Sequence, residues 1–239
     1  MRARFHLEEG QRFQLAAWGR AGVITVEGND VGDETKGSDN TVPNLSIIIA
    51  STRPGRAGLP IGQWFIGRAE AHGAFAVNVI DLAELNLPFL DEPNHPRFRK
   101  YTKKHTKDWS ATVAASDAFV FVTPEYNYGY PAPLKNAIDF LHYEWMYKPV
   151  GFVSYGGIAA GTRSVQQLKQ VVTTLKMTPL FEAVNIPFHT KFIDDDGVVQ
   201  ANEVMEKASD AMLEELVRTE AALRPLREEE REKDPAKAG

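Results

Sequence analysis

The sequence predicts an α/β protein built on a doubly wound parallel sheet of five strands. Apolar runs of strand length alternate with helical patterns five times within about 180 residues, which is typical of consecutive strand–helix units. The runs at residues 45–50 and 117–123 are apolar on both faces, as strands are when helices cover both sides of a parallel sheet. We therefore expect the strand order 2-1-3-4-5, with a ligand site at the switch point between strands one and three.

The individual elements follow from the spacing of the apolar residues. We expect strands at residues 45–50, 75–81, 117–123, 150–154 and 180–186. Helical spacing predicts helices that contain residues 61–69, about 97–115, 133–141, 165–175 and about 201–223. Pro93 and Pro96 favour a loop before the second of these helices, and Pro225 is expected to end the last one, because proline lacks the backbone N–H.

The pattern divides the chain into three parts. Residues 1–44 are an N-terminal extension whose acidic, turn-forming second half is typical of a flexible linker. Residues 45–224 make the domain, and residues 225–239, which lack apolar periodicity, are expected to be a charged disordered tail. Because the domain begins abruptly at Leu45, one hypothesis is that natural translation starts later than Met1, near Val42.

Composition excludes several classes of protein. Of the 239 residues none is cysteine, which excludes disulfides, thiolate catalysis and iron–sulfur clusters. The net charge of −5 gives no reason to expect a nucleic-acid or membrane partner. No apolar run is long enough to span a membrane and no signal-peptide core is visible, so we expect a cytoplasmic protein. The six histidines show no metal-site spacing, and Asp194-Asp195-Asp196-Gly197 lacks the further ligands of a calcium loop, so we expect no metal and an Asp-Gly turn.

The loop after the first strand has the composition of an anion site. Its sequence is Ser51-Thr52-Arg53-Pro54-Gly55-Arg56-Ala57-Gly58. A helix N-terminus offers free backbone amides, and hydroxyl and guanidinium groups add donors for a phosphate. The spacing matches neither the Walker A motif nor Gly-x-Gly-x-x-Gly. The alternative is a capped turn that carries surface arginines.

Two further loops have compositions that suit a flat, polar-edged ring. After the third strand comes Pro124-Glu125-Tyr126-Asn127-Tyr128-Gly129-Tyr130-Pro131, which supplies aromatic surface and amide groups. The fourth strand ends at Ser154 and leads into Tyr155-Gly156-Gly157, whose glycines let the backbone approach a ligand closely. The alternatives are an aromatic loop packed on its own helix and a glycine turn needed only for chain reversal.

The segments Pro124-Glu125-Tyr126-Asn127, Pro131 and Leu134-Lys135-Asn136-Ala137-Ile138-Asp139 resemble the flavin-ring loop of NAD(P)H-dependent FMN reductases of the flavodoxin-like superfamily. The resemblance extends from about Leu45 to about Leu223. It implies a flavodoxin-like fold, bound FMN, NADPH or NADH as co-substrate, and hydride transfer to a quinone, free flavin, azo dye or similar small-molecule acceptor.

The resemblance also assigns residues. Ser51 and Arg53 occupy matching positions in the phosphate loop, whereas Arg56 and Gly58 stand where other members often carry serine and asparagine. The expected FMN-binding residues are Ser51, Thr52, Arg53, Arg56, Gly58, Pro124, Glu125, Tyr126, Asn127, Tyr128, Ser154, Tyr155, Gly156 and Gly157. No catalytic acid or base is expected, because the cofactor carries the chemistry. The alternatives are a flavin-binding electron carrier without nicotinamide activity and an FMN-free scaffold.

Two surface features remain open at this point. The large side chains of Tyr143, Trp145, Met146 and Tyr147 suit either a core edge or a subunit interface, and the resemblance implies a homodimer or homotetramer. The basic residues between 97 and 107 suit either a solvated face or attraction of the anionic nicotinamide cofactor.

Overall fold

Five parallel strands form one sheet in the order β2-β1-β3-β4-β5, which confirms the expected topology. The structure is a computed structural model that describes residues 42–233. The expectations for residues 1–41 and 234–239 lie outside the described residues. The strands are β1 (Asn44–Ile49), β2 (Ala76–Asp81), β3 (Ala118–Pro124), β4 (Pro149–Gly156) and β5 (Thr178–Pro187). The helices are α1 (Gly58–His72), α2 (Leu82–Leu85), α3 (Lys104–Ala114), α4 (Ala132–Asp139), α5 (Thr162–Thr174) and α6 (Glu203–Lys233).

Alternating side chains of the central strands contribute to two hydrophobic cores, one on each face of the sheet. Ile48 and Phe121 point to the face covered by α3, α4 and α5, whereas Ile47 and Val120 point to the face covered by α1 and α6. Every residue of β3 is buried. Apolar runs that fill both cores explain why β1 and β3 show no polar alternation in the sequence.

The chain between α2 and α3 departs from the expected single helix. A short 3-10 helix spans Pro96–Phe98 and ends where Arg99 takes φ 50°, and α3 begins only at Lys104. Glu92 accepts hydrogen bonds from the backbone N–H groups of Thr102 and Lys103 at 2.8–3.0 Å, which closes the segment against the start of α3. Burial raises the pKa of Glu92, but these hydrogen bonds outweigh it and lower the pKa to about 2.

The expectation that Pro225 ends the last helix is wrong, because α6 continues to Lys233. The side chain of Arg227, which is only 6% exposed, anchors the turn after Pro225. It donates to the Tyr147 carbonyl O at 3.0 Å, to Asp117 Oδ1 at 3.1 Å and to Glu220 Oε1 at 2.7 Å. Residues 225–233 are therefore helical rather than part of a disordered tail.

Trp145 belongs to the core of the domain and not to its surface. It is fully buried, its ring centroid lies 5.0 Å from that of Phe119, and its indole N–H donates to the Ile138 carbonyl O at 3.2 Å. The aromatic cluster is expected from the sequence to be either a core edge or a subunit interface, and the core edge is confirmed for Trp145. The flanking side chains of Tyr143, Met146 and Tyr147 are half-buried.

A buried lysine lies beside this cluster. The Lys148 ammonium donates to the carbonyl oxygens of Val113 at 2.7 Å and of Ala114 at 3.2 Å, at the end of α3. Burial, and then the neighbouring cations of Arg227 and Arg231, lower the pKa of Lys148 to about 7. The amine is therefore partly neutral near physiological pH.

The remaining structural expectations concern the acidic turn and the membrane. Asp194 Oδ1 accepts backbone hydrogen bonds from Val198 at 2.8 Å and Asp196 at 3.1 Å, and Gly197 takes φ 76°, so the segment is the expected Asp-Gly turn. Within residues 42–233 no cluster of side chains could hold a metal ion. In the same range no helix combines the length and apolar character needed to cross a membrane.

Candidate functional site

The loops after β1, β3 and β4 meet at the carboxyl edge of the sheet. Strand β1 pairs with β3 through Ile49 and Val122, and β3 pairs with β4 through Pro124 and Tyr155, so the three loops leave adjacent strands side by side. The chain turns to opposite sides of the sheet at β1 and β3, which opens a crevice between their loops. The crevice thus lies at the switch point between β1 and β3, where the sequence predicts a ligand site.

The first loop is built around a close approach of α1 to two hydroxyl groups. The Tyr155 hydroxyl donates to Ser51 Oγ at 3.1 Å, and both side chains are buried. A Cβ on Gly58 would lie 2.2 Å from Ser51 Oγ and 2.5 Å from Tyr155 Oη, so only glycine lets the helix begin there. Burial raises the pKa of the Tyr155 phenol, which keeps it protonated as the donor.

The donors of this loop are unequal. Thr52 and Arg53 are exposed, and within the described residues no carboxylate pairs with Arg53. Arg56 instead forms an ion pair with Asp81 at the end of β2, so its guanidinium is already engaged. In the part of the chain that the structure describes, no side chain caps α1, whose N-cap is Ala57. The first-turn amides and Arg53 are thus the groups of this loop that can donate hydrogen bonds to an anion.

The second loop is a tight hairpin. Tyr126 and Gly129 exchange two backbone hydrogen bonds of 2.9 and 3.0 Å, and Asn127 and Tyr128 between them take φ values of 50° and 72°. Two central residues in the left-handed region match a type I′ turn, in which tyrosine is unusual. The side chains of Tyr126 and Tyr128 are 40% and 63% exposed, so both rings are partly accessible to solvent.

Residues of α5 grip this hairpin. Arg163 forms an ion pair with Glu125, whose side chain is only 7% exposed, and its guanidinium carbon lies 3.7 Å from the Tyr128 ring centroid. Gln167 Nε2 donates to the Tyr128 carbonyl O at 3.1 Å. The hydrogen bond to Glu125 raises the pKa of Arg163. The alternative in which the loop packs on its own helix is wrong for Tyr128, which packs on α5.

Arg163 and Gln167 are absent from the residues that the sequence predicts for the site. Arg163 stands 38 positions after Glu125, and nothing in the local sequence of either residue indicates the ion pair. The one available signal is position, because Arg163 is the second residue of the helix that follows the glycine loop.

The third loop folds back on itself. Ser154 Oγ lies 2.8 Å from both the Ala160 carbonyl O and Asn185 Oδ1, so this hydroxyl serves the loop and is buried. Gly161 takes φ 80°, and a Cβ there would come within 2.9 Å of Tyr155 N. A Cβ on Gly157 would meet no atom within 4 Å. The glycines therefore serve chain reversal at Gly161 and leave open space at Gly157.

Comparison with known proteins agrees with this geometry. The model of the family described as NADPH-dependent FMN reductase matches residues 43–191, which is more than half of the chain. The chain belongs to this family. It is therefore an FMN-dependent oxidoreductase that uses NAD(P)H, which confirms the fold, cofactor and activity that the sequence predicts.

Individual relatives add detail. The chain is 41% identical over 149 residues to an NAD(P)H-dependent FMN reductase from Schizosaccharomyces pombe, with 61% of this chain and 74% of that protein covered. It is 35% identical over 109 residues to a probable NADPH:quinone oxidoreductase from Oryza sativa, with 43% and 54% covered. The flavoenzyme NAD(P)H:(acceptor) oxidoreductase from Paracoccus denitrificans has the same fold, with a TM-score of 0.62 at 19% identity over 76% of this chain and 98% of that one.

Proposed function

We propose that the protein binds FMN in the crevice at the carboxyl edge and passes hydride from NADPH or NADH to a quinone, free flavin or similar small acceptor. The observation that supports this most directly is the convergence of three loops of different chemistry on one crevice. Helix amides and Arg53, which no carboxylate among the described residues pairs with, lie in the β1 loop, and exposed aromatic rings lie in the β3 loop. An anion site next to a flat aromatic edge suits a phosphorylated ring compound.

In this proposal the residues of the crevice hold FMN in one orientation. Arg53, Thr52 and the first-turn amides of α1 would hold the phosphate. The hairpin that begins at Glu125 would lie along one edge of the ring, and Gly156 and Gly157 would approach another, where the space at Gly157 is open. Ser51 and Ser154 would act indirectly, since both hydroxyls are buried within the loops.

FMN held in this crevice would supply the hydride chemistry between nicotinamide and acceptor, so no side chain of this protein need act as a general acid or base. The protein's part is to hold the phosphate, to align the ring edge and to leave one ring face accessible. The exposed rings of Tyr126 and Tyr128 offer an apolar surface beside that face, which suits a flat second substrate.

A single anaerobic experiment tests this function against its alternatives. The purified protein is loaded with FMN, freed of excess flavin, and mixed with NADPH and then NADH without oxygen. We expect loss of the yellow absorbance, followed by its recovery when a benzoquinone is added. An electron carrier without nicotinamide activity would stay yellow with both nucleotides, and an FMN-free scaffold would retain no flavin.

We also propose a cytoplasmic homodimer or homotetramer. Because Trp145 is buried within one chain, a partner subunit would not cover it. Phe89 and Phe98 on the segment between α2 and α3 are 85% and 68% exposed, and exposed aromatic side chains of this kind are typical of association surfaces. Light scattering of wild type and of a Phe89→Ser/Phe98→Ser variant tests the assembly, and a monomeric wild type would contradict it.

A further inference from the structure

The N-terminal turns of α5 hold the β3 hairpin through two side chains on one helix face. Arg163 and Gln167 are four residues apart, a spacing that places both on the same side of the helix. Both contact Tyr128, Arg163 across its ring at 3.7 Å and Gln167 at its carbonyl O at 3.1 Å. We propose that Arg163 is a positioning residue that, together with Gln167, clamps this hairpin and also sets the charge beside the bound flavin.

The clamp restrains a hairpin whose two central residues have an uncommon backbone conformation. Asn127 and Tyr128 adopt φ values of 50° and 72°, which side chains with a Cβ adopt rarely. Two backbone hydrogen bonds between Tyr126 and Gly129 close the turn but leave the Tyr128 ring free to move. The contacts from α5 fix that ring and its carbonyl group, and through them the ring-facing edge of the loop.

The charge role follows from the burial of Glu125. This residue comes directly after β3, its backbone N–H donates to the Tyr155 carbonyl O at 3.2 Å, and its side chain is 7% exposed. One carboxylate oxygen pairs with Arg163, and within residues 42–233 the other, Oε2, has no hydrogen-bond partner. Loss of the guanidinium would leave a nearly buried negative charge unbalanced next to the flavin loop.

An unbalanced charge at this position has a redox consequence. Reduction adds negative charge to the flavin ring, so an unpaired Glu125 carboxylate would oppose reduction more than it opposes binding of the oxidised form. Arg163 removes that opposition. This inference rests on the proposed function, because it places the flavin ring against the β3 hairpin.

The test compares FMN affinity and midpoint potential in four variants. Arg163→Met removes both clamp and charge, Gln167→Ala removes only a neutral clamp contact, and Glu125→Gln removes the carboxylate. The Arg163→Met/Glu125→Gln double variant has the net charge of wild type but lacks the stacked guanidinium. Affinities of apo protein for FMN come from fluorescence titration, and potentials come from anaerobic reductive titration against reference dyes.

We expect Arg163→Met to weaken binding of reduced FMN about tenfold more than that of oxidised FMN, which lowers the two-electron midpoint potential by about 30 mV. The double variant should regain the wild-type potential while its affinity for both redox forms stays low. Gln167→Ala should weaken both forms equally and leave the potential unchanged.

Two results would overturn the inference. An unchanged potential in Arg163→Met would remove the charge role, and wild-type affinity in both Gln167→Ala and the double variant would remove the clamp. Circular dichroism melting of each apo variant identifies any loss of fold. Glu125→Gln leaves the Arg163 guanidinium unpaired, so it should raise the midpoint potential, and an unchanged potential there would also remove the charge role if Arg163→Met unfolds. Failure of the proposed function would look different, since wild type itself would then retain no FMN or would not be reduced by NAD(P)H.

Discussion

Replacement of Arg53 by alanine should weaken FMN binding while leaving riboflavin binding almost unchanged. Arg53 is exposed, and among the described residues no carboxylate competes for its guanidinium, so its full hydrogen-bonding capacity is available to a phosphate. A charge-assisted hydrogen bond contributes about 1.5–3 kcal/mol, and this corresponds to about a ten- to hundredfold increase in the Kd for FMN. Riboflavin lacks the phosphate and should bind both proteins alike.

The neighbouring arginine provides a matched control. Arg56 lies in the same loop but pairs with Asp81, so Arg56→Ala should loosen the loop and weaken both flavins by similar factors. Fluorescence titration of FMN and riboflavin into apo wild type and the two variants gives all six constants. Equal losses for both flavins in Arg53→Ala, or a larger FMN-specific loss in Arg56→Ala, would refute the assignment of the phosphate to Arg53.

Three further expectations concern packing and pH. Gly58→Ala should abolish FMN binding in a flavin titration, because its Cβ would come within 2.2 Å of a buried hydroxyl, whereas Gly67→Ala in the same helix meets no atom within 4 Å and should bind normally. Trp145→Ala should cost about 3–5 kcal/mol in urea unfolding, and wild-type stability in a new monomer would contradict its place in the core. Lys148 titrates at about 7 when folded and unfolded lysine at about 10.4, so the unfolded state binds more protons between these values and stability should rise with pH over that window. Lys148→Met should flatten that rise when unfolding is compared at neutral and alkaline pH.

The sheet could be predicted from the sequence because each strand carries its own signal. The runs of β1 and β3 are mostly apolar on both faces, with Ser46 and Thr123 as buried polar exceptions, and this is the pattern that burial on both faces requires. The three loops could be placed at one edge because parallel strands all end there. Chain order and hydrophobic pattern together therefore specify the crevice.

The contacts that complete the site could not be predicted, because they join residues without a shared local pattern. The ion pair between Arg163 and Glu125, and the one between Arg56 and Asp81, arise only when separate loops are packed together. The aromatic character of Trp145 indicated burial but not which surface would cover it. The prediction that Pro225 ends the last helix fails for a related reason, since Arg227, which follows it, binds residues that are distant in sequence.

The long last helix bears on where a surface tether or a fusion partner could be joined to the protein. Arg227 contacts Asp117 and Tyr147, which immediately precede β3 and β4, and β1 begins at Asn44, so both ends of the described chain lie at the edge opposite the crevice. With 31 residues, α6 is about 46 Å long, and its apolar face packs on the sheet as the helix runs towards that edge. A surface tether or a fused nucleotide-regenerating dehydrogenase joined at either end would leave the crevice mouth facing outward, where dissolved acceptors can reach it.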